Sequence, residues 1–267
     1  MVDKKYVSLA LEAAVNAGNA IMDIYQAGFS VSKKEDNSPV TEADLKANKI
    51  ICDRLAKTPY PIISEENKML PFSERENWKM CWIVDPLDGT REFVDRNGEF
   101  TVNIALVENG VPIFGVIYIP VTKILFYTSE DMKGSFKIDL SVNEINDFSS
   151  IKDSSEEIFP KKNYKELRIL ASRSHLNEAT KNYVEKLKEA HTVKLVQKGS
   201  SLKFCTLAEG LADIYPRFSP TMEWDTAAGH AICKAVGIEV IDFVSCQPLI
   251  YNKEILLNPS FLAEVKK

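Results

Sequence analysis

The stretch WIVDPLDGTREF, residues 82–93, places Asp85 and Asp88 at the end of an apolar run and directly before a Gly-Thr step. Along a strand, residues i and i+2 share a face, so two carboxylates three positions apart converge only where the backbone bends. Pro86 can supply that bend, since proline fixes φ and donates no ladder hydrogen bond. We therefore expect Asp85, the carbonyl of Leu87 and Asp88 to meet at one point.

Two carboxylates held this close repel each other unless a cation lies between them. Oxygen ligands indicate a hard metal ion, and Mg²⁺ is the usual one where phosphate is handled. Gly89 and Thr90 could bind the anion, because glycine lets backbone N–H groups approach a phosphate closely. The Thr90 hydroxyl could also hold the attacking water. The alternative interpretation of DPLDGT is a surface turn.

Two further acids lie at the ends of predicted secondary-structure elements. Glu65 follows the predicted strand PIIS as Asp85 follows CWIV, and Asp225 opens the predicted helix EWDTAAGHAICKAV. Together with Asp85 and Asp88 they are enough for two metal ions about 4 Å apart, which would activate a water directly and require no covalent intermediate. The alternatives are a solvated turn for Glu65, a helix N-cap for Asp225 and a capping box for Asp44.

The first half of the chain reads as helices, short strands and an antiparallel meander. The periodicity of residues 7–25 predicts an amphipathic helix, and Thr41 with Asp44 predicts the capped start of a second one. Asn109-Gly110 is a strong hairpin signal. The further predicted strands are PIIS, MCWIV and KILFYT.

The second half alternates strands with helices, which favours a sheet flanked by helices. The polar stretch between Asp139 and Glu166 reads as a surface crossover. We expect an N-terminal α+β subdomain over residues 1–135 that carries most metal ligands. A C-terminal α/β subdomain over residues 136–267 would complete the metal site and the substrate pocket.

Composition excludes several classes of protein. The chain has 267 residues with a net charge of −5 and no basic block, which argues against a nucleic-acid polymer as partner. No apolar run reaches the length of a membrane span, so a cytoplasmic protein is expected. The five cysteines show no C-x-x-C spacing and are predicted to be reduced thiols. Loose association with the inner face of the cell membrane, and the choice between monomer and homodimer, stay open.

SEE, DPLDGT and WDTAAGH together resemble the inositol-monophosphatase-like superfamily of Mg²⁺-dependent, lithium-sensitive phosphatases. DNSPVTEAD, REFVDRNGEFTVNIAL, ASRSH, GSSLKFC and YPRF are similar to motifs of the bacterial 3′(2′),5′-bisphosphate nucleotidases of the CysQ type, over about residues 5–260. The resemblance implies a layered αβαβα sandwich in two subdomains. It also implies hydrolysis of adenosine 3′,5′-bisphosphate (PAP) to AMP and phosphate, and in some members of its sulfated form PAPS, in sulfate assimilation.

The resemblance further implies roles for individual residues. Two or three Mg²⁺ ions would be held by Glu65, Asp85, the Leu87 carbonyl, Asp88 and Asp225. Asp44, Glu65 and Thr90 would take part in catalysis, with Asp44 and Thr90 positioning or deprotonating the water. The substrate-binding set would be Leu87, Asp88, Gly89, Thr90, His175, Ser200, Lys203, Arg217 and Asp225. Lys203 and Arg217 carry the positive charge that a second phosphate requires.

Three other functions compete with this one. An inositol or fructose-bisphosphate phosphatase could use the same metal site. An aspartyl-phosphate phosphatase is disfavoured, because that class uses D-x-D spacing. A binding module that senses a nucleotide without turnover would leave the full set of carboxylates and Thr90 unexplained.

Overall fold

The computed structural model describes residues 1–33, 39–143, 145, 147–161, 165–172 and 177–265. The helices are α1 (Lys4–Ala27), α2 (Glu42–Leu55), α3 (Phe72–Arg75), α4 (Thr90–Val94), α5 (Glu178–Lys188), α6 (Leu202–Ala208) and α7 (Glu223–Ala235), with a 3-10 helix over Phe148–Ser154. The strands of the first half are β1 (Val31–Lys33), β2 (Pro39–Thr41), β3 (Ile62–Ser64), β4 (Met80–Asp88), β5 (Thr101–Glu108), β6 (Val111–Ile119), β7 (Ile124–Thr128), β8 (Ser135–Asp139) and β9 (Glu156–Ile158). Those of the second half are β10 (Leu167–Ser172), β11 (Val193–Lys198), β12 (Ile214–Arg217), β13 (Val240–Asp242) and β14 (Phe261–Glu264).

A seven-stranded sheet in the order β3-β4-β5-β6-β7-β8-β9 carries the first half of the fold. Only its β3–β4 pair is parallel. Alternate side chains of a strand point to opposite faces. On β5, Val102 and Ile104 join the hydrophobic cluster with α1 and α2, while Ala105 and Val107 join the cluster with α6 and α7. Helices therefore cover both faces of this sheet.

The second sheet has the order β11-β10-β12-β14-β13. β10 runs parallel to β11 and β12, whereas β14 is antiparallel to β12 and β13. Phe204 of α6 and Ile232 of α7 share one hydrophobic cluster with Tyr215 and Phe261 of this sheet. Right-handed crossovers that step in opposite directions place α5 and α6 on opposite faces of it. The predicted αβαβα stack of layers is confirmed.

Two short sequence signals are also confirmed. Thr41 donates through its N–H and its Oγ1 to Asp44 Oδ2, both at 2.7 Å, and Thr41 Oγ1 accepts from the N–H of Ala43, so the capping box opens α2. Asn109 and Gly110 have φ of 49° and 79°, which places both in the left-handed region that a two-residue hairpin needs. β5 and β6 therefore pair as predicted.

The description of residues 139–166 as a surface crossover is wrong in part. The 3-10 helix buries Ile151, and β9 extends the first sheet and buries Ile158. The chain passes from the first sheet to the second between Ile158 and Leu167. The subdomain boundary near residue 135 stays a prediction.

None of the described helices combines the length and the apolar character needed to cross a bilayer. Cys52, Cys81, Cys205, Cys233 and Cys246 are all free thiols, as predicted.

Candidate active site and metal centre

Two neighbouring strands deliver the first pair of acids. β3 and β4 are parallel, with Ser64 opposite Val84, so Glu65 and Asp85 are the next residues at the same edge of the sheet. The N–H of Glu65 donates to the carbonyl of Val84 at 3.2 Å, which extends the pairing by one step. The expectation that two strand ends supply one acidic site therefore agrees with their register.

A β-bulge explains how the carboxylates of Asp85 and Asp88, three positions apart, can face one point. Asp85 pairs with Asn103 and Asp88 with Thr101, so three steps on β4 lie opposite two steps on β5. The extra residue re-aims the side chains that follow it. Carboxylate oxygens of Asp85, Asp88 and Asp225 consequently lie within 4.8 Å of one another.

Asp225 reaches this cluster from the first turn of α7. The helix begins at Glu223, so the alternative interpretation of Asp225 as the N-cap is wrong. Its Oδ2 accepts instead from the N–H of Met222 at 2.9 Å. The packing of α7 is close, since a Cβ added at Gly229 would lie 2.2 Å from the ring of Phe204.

Hydrogen bonds orient each carboxylate of the cluster. Asp88 Oδ2 accepts from Ser200 Oγ at 2.6 Å and from Ser201 Oγ at 2.7 Å. Asp85 Oδ1 accepts from the N–H of Leu87 at 3.1 Å. Each of these bonds falls on a single oxygen of its carboxylate, which leaves the second oxygen for a ligand.

Burial makes this cluster unfavourable unless a cation balances it. Asp85 is 1% exposed, and burial raises its pKa well above the usual range, with further increases from the charges of Glu65, Asp88 and Asp225. Burial and the charge of Asp88 raise the pKa of Asp225 to about 8. A set of buried oxygen ligands that repel one another fits a hard divalent cation.

Asp44 and Thr90 lie together beside the cluster. Thr90 Oγ1 donates to Asp44 Oδ1 at 3.1 Å and lies 3.4 Å from the carbonyl oxygen of Leu87. Asp44 is buried, and that burial raises its pKa even though Thr41 and Thr90 donate to it. The predicted capping box and the predicted place in the site therefore use different oxygens of one carboxylate.

Gly89 has a backbone conformation that residues with a side chain rarely adopt. Its φ of +92° lies in the left-handed region, and an added Cβ would lie 3.2 Å from the carbonyl oxygen of Glu99. Glycine lets the chain turn directly from the β4 bulge into α4. The backbone between Asp88 and Thr90 can then face the cleft.

The acidic cluster opens into a cleft of about 950 Å³, part of it open to solvent. Its lining includes the acids Glu65, Asp88 and Asp225 with Gly89 and Thr90, and the cations Lys203 and Arg217 with Tyr215. The enclosed volume is about 290 Å³. It lies near the lower end of the range for small-molecule sites, which usually hold roughly 300–1,000 Å³.

Two of the predicted nucleotide contacts, Lys203 and Arg217, have different surroundings in the structure. Lys203 is buried, and burial followed by the charge of Arg217 lowers its pKa to about 8. Its Nζ donates to the carbonyl of Ser200 at 2.6 Å, so it is not an ordinary surface cation. Arg217 is half-buried in the cleft, and its Nε has no hydrogen-bond partner within the described residues. Predicted contact His175 lies outside the described residues.

Sequence reasoning missed two residues that hold Asp88. Ser201 donates to Asp88 Oδ2, and Asn103 Nδ2 donates to Ser201 Oγ at 2.9 Å. The second serine of GSSLKFC was the available signal for Ser201. Asn103 could have been noticed as a polar residue inside the apolar strand TVNIAL.

Comparison with known proteins gives matches over nearly the whole chain. The model of the inositol monophosphatase family matches residues 3–266. The 3′(2′),5′-bisphosphate nucleotidase CysQ of Escherichia coli K12 is 42% identical over 259 residues, which cover 95% of this chain and 97% of that protein. The CysQ nucleotidase of Salmonella typhimurium is 42% identical over 255 residues, which cover 94% and 96%.

A solved structure gives the same result. The crystal structure of CysQ from Bacteroides thetaiotaomicron, a bacterial member of the inositol monophosphatase family, matches with a TM-score of 0.87 and 47% sequence identity. The match covers 97% of this chain and 96% of that one. The similarity therefore includes both sheets and the cleft.

Proposed function

The chain belongs to the inositol monophosphatase family, and from that premise we propose that it hydrolyses the 3′-phosphate of adenosine 3′,5′-bisphosphate. The products would be AMP and inorganic phosphate. The enzyme class is 3′(2′),5′-bisphosphate nucleotidase, a metal-dependent phosphatase. PAPS, in which the 5′-phosphate is sulfated, is a second substrate to test.

One observation carries this proposal: a single cleft is lined both by a carboxylate cluster and by two cationic side chains. A substrate with two phosphates can then place one phosphate against each group. The carboxylates attract the scissile phosphate only through bound cations, while Lys203 and Arg217 can attract the second phosphate directly. A monophosphate would use only one of the two groups.

The acidic part of the cleft would hold two or three Mg²⁺ ions through Glu65, Asp85, the Leu87 carbonyl, Asp88 and Asp225. When bound, such ions neutralise charge on the phosphoryl and leaving oxygens and make a nearby water more acidic. The chain's own contribution is to hold these oxygens in one place, through the β4 bulge and the first turn of α7.

Thr90 and Asp44 would handle the proton of the attacking water. Thr90 Oγ1 donates its hydrogen to Asp44 Oδ1, so its lone pairs can accept a hydrogen bond from a water in the cleft. A water held this way can pass its proton through Thr90 to Asp44 as it attacks phosphorus. Gly89 would place backbone N–H groups against the phosphate oxygens.

Binding of the second phosphate would depend most directly on Arg217. Its guanidinium lines the cleft, and the Nε is free of hydrogen bonds within the described part of the chain. Lys203 donates to the carbonyl of Ser200 and adds positive charge to this part of the cleft. Ser200 in turn donates to Asp88 Oδ2, so one residue contacts both the carboxylate cluster and Lys203.

The competing functions lack comparable support. An inositol or fructose-bisphosphate phosphatase is not favoured, because the relatives with high identity over their full length are nucleotidases. An aspartyl-phosphate phosphatase would need D-x-D spacing. A non-catalytic sensor would have no use for the Thr90–Asp44 pair.

A phosphate-release panel tests the proposal. PAP, PAPS, 3′-AMP, inositol monophosphate and fructose bisphosphate are compared with Mg²⁺ and with a chelator. We expect PAP to give the highest kcat/KM and the chelator to abolish release. Arg217→Ala should raise KM for PAP about tenfold, the worth of one charged hydrogen bond, and leave 3′-AMP unaffected. Faster release from inositol monophosphate than from PAP would contradict the proposal.

A further inference from the structure

Glu223 is a buried acid two residues before Asp225, and no part of the proposed reaction uses it. Its side chain is 0% exposed in the first turn of α7. Its Oε2 accepts from the N–H of Asn252 at 2.6 Å, and its Oε1 accepts from the N–H and the Nζ of Lys253 at 3.1 and 2.5 Å. All three bonds go to one segment, residues 250–258, which we call the strap.

The strap holds the first turn of α7 at further points. The N–H of Glu223 donates to the carbonyl of Leu256 at 2.9 Å. Asn258 Nδ2 donates to the carbonyl of Met222 at 2.7 Å and to Thr226 Oγ1 at 2.9 Å. The residues on both sides of Asp225 are therefore fastened to the strap.

Arg75 fastens the strap to the first sheet. It is 2% exposed and lies at the end of α3, in the segment that joins β3 to β4. Its Nη1 donates to Asn252 Oδ1 and to the carbonyl of Lys253, both at 2.8 Å, and its Nη2 donates to the carbonyl of Glu254 at 3.0 Å. Asn252 Nδ2 donates back to the carbonyl of Arg75 at 2.8 Å. A planar guanidinium is well suited to such a fixed set of acceptors.

We propose that Glu223 and Arg75 are positioning residues of the metal centre. Asp85 and Asp88 belong to the first sheet, whereas Asp225 arrives on α7 from the second half of the chain. Glu223 joins α7 to the strap and Arg75 joins the strap to the first sheet, so the two together set the distance from Asp225 to the other carboxylates. The inference rests on the proposed function only in requiring that this cluster binds a divalent metal.

Metal affinity is the quantity to measure, by calorimetric titration of Mn²⁺ into metal-free protein. We expect Glu223→Gln to weaken Mn²⁺ binding roughly tenfold, as the loss of an outer hydrogen-bonding partner of a metal site usually does. Lys253→Met should weaken it less, because Glu223 keeps both backbone N–H partners. The Glu223→Gln variant should need a higher Mg²⁺ concentration for half-maximal phosphate release. At saturating Mg²⁺, its KM for PAP should equal that of the unaltered protein.

Glu209→Gln is the matched control. It removes the Lys137–Glu209 pair of 2.7 Å, which also joins the first sheet to a helix of the second half but lies away from the cleft. We expect its Mn²⁺ affinity to be unchanged. The proposal is overturned if folded Glu223→Gln binds Mn²⁺ within twofold of the unaltered protein, or if Glu209→Gln weakens binding equally.

Two other outcomes are decisive. If Glu223→Gln does not fold, Lys253→Met settles the question, since an unchanged Mn²⁺ affinity in that variant overturns the positioning role. If the unaltered protein binds no Mn²⁺, the proposed metal-dependent function fails together with this inference. Binding by the unaltered protein with no effect of either strap variant removes the positioning role alone.

Discussion

Single residues of the acidic cluster are placed at a cost to the folded state. Asp85 is held in a buried position among Glu65, Asp88 and Asp225, where the repulsion between carboxylates opposes folding. A residue kept for stability would have neutral or opposite neighbours. The carboxylate set is therefore better explained by a bound cation than by the packing of the protein.

Asp85→Asn should separate activity from stability. The amide keeps an oxygen for the N–H of Leu87 but carries no charge, so we expect phosphate release to fall by at least about a hundredfold, more than loss of an outer partner would cost. With a chelator present, the melting temperature should stay the same or rise, because a repelled buried charge has been removed. Initial rates and thermal melts check both parts. Asp53→Asn, at an exposed carboxylate paired with Lys49, should change neither.

Thr90 gives a test of proton transfer. Thr90→Val removes the hydroxyl that donates to Asp44, and we expect kcat to fall about 10²-fold or more, the usual contribution of a positioned proton acceptor. Thr90→Ser keeps the hydroxyl and should retain most of the activity. The measurement is kcat at saturating Mg²⁺ and PAP. Equal kcat values for the valine and serine variants would show that the hydroxyl has no such role.

The sequence identifies the acids of the site better than the residues that hold them. The spacing of Asp85 and Asp88 around Pro86 predicts convergence, and the register shift of β4 against β5 agrees with it. The contact between Arg75 and Lys253 joins residues 178 positions apart, and no local pattern in the sequence indicates it. Roles that depend on such long-range hydrogen bonds become visible only when the fold is known.

At the scale of elements, the strands and helices with strong periodicity were predictable and the marginal ones were not. LRILAS is a strand over Leu167–Ser172, as its apolar pattern indicates. β9 has three residues, two of them exposed glutamates, so its place in the first sheet depends on pairing with β8 rather than on its own pattern. β14 forms between β12 and β13, and its pairing is set by the second sheet as a whole.

Gly229→Ala tests how closely α7 must pack. Alanine favours a helix over glycine by about 1 kcal/mol, which alone would stabilise the protein. The added Cβ would lie 2.2 Å from the Phe204 ring, however, and overpacking of this kind usually costs about 1–3 kcal/mol. We expect a net loss of stability in denaturant unfolding, with a raised Mg²⁺ requirement because Asp225 moves with the helix. Lys234→Ala, near the other end of α7, should leave the Mg²⁺ requirement unchanged.

At the scale of the whole molecule, the acidic cluster combines carboxylates from the two halves of the chain. Asp85 and Asp88 come from the first sheet, and Asp225 comes from a helix that packs between the two sheets. Unfolding disperses these carboxylates, so a divalent cation should bind the folded state far better than the unfolded chain. The metal should therefore act as a stabilising ligand as well as a cofactor.

Mg²⁺ should raise the melting temperature of the metal-free protein. At about 100 times its dissociation constant, a ligand specific for the folded state adds about 2.7 kcal/mol to the free energy of unfolding, or roughly 5–10 °C for a chain of this size. Differential scanning calorimetry with increasing Mg²⁺ measures the shift, and NaCl of equal ionic strength is the control. The Asp225→Asn variant should lose most of the rise in melting temperature, because the carboxylates that remain in its cluster come from the first sheet alone. A shift that NaCl reproduces, or that Asp225→Asn keeps in full, would mean that the cation does not connect the two halves through this site.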